Sequence, residues 1–91
     1  MARFPLKVYS PKGECIAMLK DVYDAAILVA YQGEGATVRH GHRKWETVYT
    51  VENYDEALDS YDKVAMGIKE GLDRVEAERR RRRLARRGRS D

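Results

Sequence analysis

An α+β fold with the element order ββαββα is what this sequence predicts, and three observations carry it. Short alternating segments rich in β-formers flank glycine turns. One alanine-rich helical run separates them. A long stripe of apolar residues at helical spacing closes the chain. The simplest arrangement is a four-stranded antiparallel sheet with two helices on one face.

Phe4, Leu6 and Val8 alternate with Pro5, Lys7 and Tyr9, the period of a half-buried strand. Ser10-Pro11-Lys12-Gly13 is turn chemistry, because proline fixes one dihedral and glycine permits a left-handed one. Cys15 to Leu19 then returns as the second strand of a hairpin, and an alternating apolar strand makes Cys15 a small core residue. Asp21 is placed to cap a helix from about Val22 to Gln32, with Asp24 near its free amides and Gly33 at its left-handed exit. Ala36 to Arg39 and Lys44 to Val51 are β-type, joined by the turn His40-Gly41-His42-Arg43. Asn53 caps the final helix, with Glu56 three residues on in a capping-box arrangement. Ser60 is a rival start that would leave residues 53 to 59 as a loop.

From there Tyr54, Leu58, Tyr61, Ala65, Ile68, Leu72 and Val75 step by four and three residues. A helix unbroken to about Arg87 would be roughly 50 Å long, against about 17–20 Å for a typical strand. Its distal half is therefore expected to overhang the sheet. Gly67, Ile68, Gly71, Leu72 and Val75 become the expected interface with a second copy, the two glycines allowing close approach. Glycine costs up to about 1 kcal/mol in a helix interior, so two of them ask for a reason. A kink or fraying at that point is the alternative.

Ninety-one residues form one domain, with residues 1–77 as the body and 78–91 as a basic tail. The net charge of +3 is unevenly spread. From Glu78 to Asp91 there are eight arginines against two acids, whereas the body carries ten basic residues against thirteen acids. Such a block marks a tail that meets nucleic acid or an acidic protein surface. A solvated helix end serving the helix dipole is the plainer reading, but five consecutive arginines exceed what capping needs. Mutual repulsion among them argues for order only when bound or paired with acids. One cysteine excludes an internal disulfide and fits a reducing compartment. No stretch approaches the ~18 apolar residues of a membrane span, and the expected location is the cytoplasm.

The motifs of catalysis and metal binding are missing. Two histidines without HExxH or paired cysteines do not assemble a zinc site. No nucleophile is provided with a base and an orienting group. Gly33-Glu34-Gly35 lacks both the lysine of a phosphate loop and the third glycine of a dinucleotide fingerprint. No enzyme, metal or cofactor is expected. Asp55, Glu56, Asp59 and Asp62 suit the positive pole of a helix start, though they are also placed to mimic phosphates towards a basic partner.

The second hairpin is the better candidate. Arg39, His40, His42, Arg43 and Lys44 cluster beside Trp45; cationic groups bind phosphate and aromatic rings stack on bases. An ordinary polar turn with Trp45 in the core is the competing reading. Together with Arg79, Arg80, Arg81, Arg82, Arg83, Arg86 and Arg87, these residues form the expected phosphate-binding set.

The stretch Gly33-Glu34-Gly35-Ala36-Thr37-Val38-Arg39-His40-Gly41-His42-Arg43-Lys44 resembles short proteins encoded by phages and prophages, over roughly the first fifty residues. That resemblance implies a viral accessory protein acting in the host cytoplasm. Chains of this size from that source often inhibit host defences by binding an effector complex or a nucleotide signal. The expectations are thus a non-catalytic binder of nucleic acid, a phage-type inhibitor of a nucleic-acid-handling complex (anti-CRISPR in type), or an oligomeric sponge for a nucleotide messenger.

Overall fold

In the computed structural model, residues 5–41 and 45–89 are described, with side chains to residue 85. The chain runs β1 (Leu6–Tyr9), β2 (Cys15–Leu19), α1 (Val22–Gln32), β3 (Thr37–Gly41), β4 (Trp45–Thr50), α2 (Tyr54–Asp59) and α3 (Tyr61–Arg89). The strands form one antiparallel sheet in the order β2-β1-β3-β4. The first turn closes through a bond from Gly13 N to Ser10 O of 2.9 Å, with Gly13 at φ 89°. The Asp21 carboxylate accepts from the amides of Tyr23 and Asp24 at 2.7 and 3.2 Å, so α1 starts where its cap dictates.

Residues directly opposite in an antiparallel pair share a face. Leu6, Val8 and Val38 therefore point to one side, where they pack with Ala25, Ala26, Val29 and Ala30 of α1. Three alanines along that stripe let α1 lie close to both the sheet and α3. Ile68 and Val75 from α3 complete this core and are essentially without solvent contact.

Two bulges break the strict alternation. Val8 pairs with Ala17 but Tyr9 with Cys15, so Ile16 is the extra residue in β2. The slip moves Cys15 off the core side, and it is exposed rather than the buried residue its spacing suggested. In β4, Tyr49 pairs with Val38 and Thr47 with Arg39, leaving Val48 as the extra residue.

The last helical segment is two helices, not one. Asn53 Oδ1 accepts from Glu56 N at 3.1 Å and starts α2. Ser60 then caps α3 by accepting from Lys63 N at 3.4 Å. Both expected starts are used, with a break at Ser60, whose backbone is extended.

The expected interface residues are already covered inside the chain. A Cβ on Gly67 would meet the Tyr49 ring at 2.8 Å, and one on Gly71 would meet the carbonyl oxygen of the bulged Val48. The glycines thus admit β4, not a second copy. Ile68 and Val75 are buried and Leu72 is half-buried against the same core. The cover that seemed to require another subunit comes from β4 and α1. The 29-residue α3 overhangs only beyond Arg79, and its continuation to Arg89 gives the molecule its long dimension of 52 Å. No described helix is long and apolar enough to cross a membrane.

Candidate nucleic-acid interface

Two cationic surfaces meet where β3, β4 and α3 come together, and each is set by a register already described. The first is the projecting end of α3. Ile68, Leu72 and Val75 mark its buried stripe, and the next position at that spacing is Arg79. Its guanidinium reaches Glu46 on β4, Nη2 to Oε2 at 3.7 Å, where the helix leaves the sheet. Arg79 is therefore half-buried and tied to the body, a correction to its expected place in the free basic block. Arg80, Arg81, Arg82 and Arg83 are exposed beyond it, as is Leu84. Among the described residues they form no ion pair. Arg86 and Arg87 continue the helix, their side chains outside the described residues. The helix stays regular here because arginine is a good helix former. Glu76 and Glu78 also precede Arg80 and Arg82 by four residues, the favourable order of charges.

The second surface is the face of the sheet that carries no helix. Lys7 and Tyr9 on β1 pair with Arg39 and Thr37 on β3, so all four point to this side. Trp45, Thr47 and Thr50 join them from β4, and Met18 from β2. Lys7 Nζ lies 4.0 Å from the centre of the Trp45 ring, and Arg39 Cζ lies 4.2 Å from that of Tyr9. Trp45 sits opposite Gly41, whose missing side chain lets the indole lie across β3 and reach Lys7. Trp45 is accordingly half-buried on the open face, neither in the core nor at a free tip. No carboxylate is contributed to this face by the described strands.

His40 is the other correction. It pairs with Leu6 and Glu46 and points to the helix side, with 8% of its surface exposed. Burial first, then the Arg79 guanidinium, lowers its pKa, with Glu76 and Glu46 pulling the other way. A neutral, enclosed imidazole does not serve as a phosphate contact. His42, Arg43 and Lys44 lie outside the described residues. Sequence reasoning missed Lys7 and Tyr9. Their period-two placement on β1 with Arg39 opposite was the available signal, but the β1–β3 pairing had to be known first.

A groove of about 460 Å³ opens between β4 and the α2–α3 pair. Glu52 and Glu56 line it together with Lys63 and Arg74, and Arg74 Nη2 donates to Thr47 O at 3.4 Å. Mixed charge gives it no preference for an anion. At the far end of α3, Asp55, Glu56, Asp59 and Asp62 are exposed near Tyr23, Tyr31 and Tyr54. The Tyr23 hydroxyl donates to Asp62 Oδ1 at 3.0 Å, joining α1 to α3.

No family model, curated protein or solved structure matches this chain.

Proposed function

We propose that this protein is a non-catalytic binder of a phosphate-bearing polymer, nucleic acid in the first place, with the projecting arginines of α3 as its main contact. The observation that carries this reading is the exposed run Arg80–Arg83, held clear of the body and paired with no acid among the described residues. Arginine is suited to the task because its planar donors match phosphate oxygens. The rigid helix presents four such groups without first ordering a coil, which reduces the entropic cost of binding. Affinity would come from displacing counterions, with little sequence discrimination. Arg43 and Lys44 are expected to add charge.

The test is fluorescence anisotropy with labelled duplex DNA, single-stranded DNA and RNA. It compares the full chain with one carrying Arg80→Ala, Arg81→Ala, Arg82→Ala and Arg83→Ala. Alanine preserves the helix, and Arg79 keeps its partner. Loss of binding in the variant supports the proposal; unchanged binding, or none in either protein, overturns it.

A protein partner is the second reading, favoured by the tyrosines exposed among the carboxylates of α2 and early α3. Tyrosine is enriched at protein interfaces, and the carboxylates would imitate phosphates towards a nucleic-acid-handling complex. Capture of a defined complex from nuclease-treated host lysate, lost with Asp55→Asn and Asp59→Asn, would favour it over the first reading.

A further inference from the structure

The open sheet face combines features that the arginine helix lacks. From the described strands it takes two aromatic rings, two cations and no acid, and the cations rest on rings. Lys7 and Tyr9 are two residues apart on β1, so their stacks lie about 7 Å apart along the strand. A cation left without an acid partner on a flat surface complements a polyanion. Flat rings beside it complement a base.

We propose that this face is a platform for single-stranded nucleic acid, with unpaired bases stacking on Trp45 and on the Arg39 guanidinium, which rests on Tyr9, while Lys7 meets the backbone. The proposal rests on the polyanion reading above and narrows it to one class of ligand. Single strands are favoured over duplexes because only unstacked bases expose the faces that such rings can cover. Arg39 is already held at the ring, its Cζ 4.2 Å from the centre of Tyr9. Lys7 plays a different part. Its ammonium covers the Trp45 ring in the free protein and would move to a phosphate as a base takes its place. A lysine–ring contact at a half-buried position and base–aromatic stacking are of similar size, so the phosphate contact that Lys7 gains favours the exchange. The platform and the arginine helix leave the body at the same end, because Glu46, the anchor of Arg79, is adjacent to Trp45 in β4. One strand can therefore use both.

Trp45 is the only tryptophan in the chain and reports directly on the site. The full chain is titrated with a single-stranded twelve-nucleotide DNA, its RNA counterpart, the matching duplex and inorganic polyphosphate, following Trp45 emission. The expected result is saturable quenching by the single strands and little change with duplex or polyphosphate. Tyr9→Leu, which keeps the strand apolar, should weaken single-strand binding by roughly fivefold to a hundredfold and leave duplex affinity unchanged. Equal Trp45 responses to all four ligands, or equal weakening of all by Tyr9→Leu, would overturn the platform while leaving the polyanion reading intact. Binding to none of the four would remove both. Quenching in the unaltered chain does not depend on any variant folding, and melting curves for Tyr9→Leu separate lost binding from lost structure.

Discussion

Gly71 and His40 illustrate how much of this molecule is decided by single side chains at the junction of α3 with β4. Gly71 has no Cβ because the carbonyl of the bulged Val48 occupies that space. Gly71→Ala is expected to destabilise the protein by about 1–3 kcal/mol, the usual cost of overpacking. Its obstacle is backbone and can give little, so the value should fall at the upper end. Gly67→Ala meets only the edge of the Tyr49 ring and should cost less; urea unfolding of the two variants gives the comparison. His40 sets a pH dependence. Its folded pKa lies below the ordinary value of 6.5, so the folded state binds its proton less readily than the unfolded chain does. The stability this contributes is complete above that ordinary value. It is lost as pH falls through the lower folded pKa. Melting temperatures between pH 7.5 and 5 should drop more steeply for the natural chain than for His40→Gln.

Helices and strands were legible from the sequence to the extent that local rules decide them. Asp21, Asn53 and Gly33 mark their helix ends by chemistry that operates within three residues, and all three act as expected. What could not be read locally was the side to which strand residues point. The bulges at Ile16 and Val48 each insert one residue, and each reverses the alternation on one side of itself. Cys15 was misplaced for that reason. His40 seemed a hairpin-tip cation because β3 runs on to Gly41, further than its composition indicated. Gly67 and Gly71 were noticed, but what they admit is a strand brought in by tertiary packing. The double start at Asn53 and Ser60 carries its own expectation: replacing either cap with alanine should cost about 1 kcal/mol, measured by thermal unfolding. The half-exposed Arg79–Glu46 pair should contribute less than about 1 kcal/mol, so its role is to fix the helix's exit.

Across the whole molecule, charge is separated along α3. Exposed carboxylates gather near its start, and arginines with no ion pair among the described residues project from its end. The long dimension of 52 Å keeps these poles apart, well beyond the roughly 8 Å over which salt at physiological strength screens them. On the proposed reading, a polyanion would be drawn to the arginine end and turned away from the other, and so would meet the proposed sheet platform first. The projecting segment carries none of the described core, and replacing its four exposed arginines, Arg80 to Arg83, with alanine should leave the melting temperature within a few degrees of the natural chain.

The salt dependence of DNA binding tests the central claim most directly, because it counts phosphates neutralised by the protein. Dissociation constants for a short duplex are measured from low to moderate salt for the natural chain and for the chain with Arg80 to Arg83 replaced by alanine. The account requires a steep decline of log affinity with log salt, shallower by roughly three to four units in the variant, close to one for each phosphate contact removed. A slope near zero in the natural chain, or the same slope in both proteins, would contradict it.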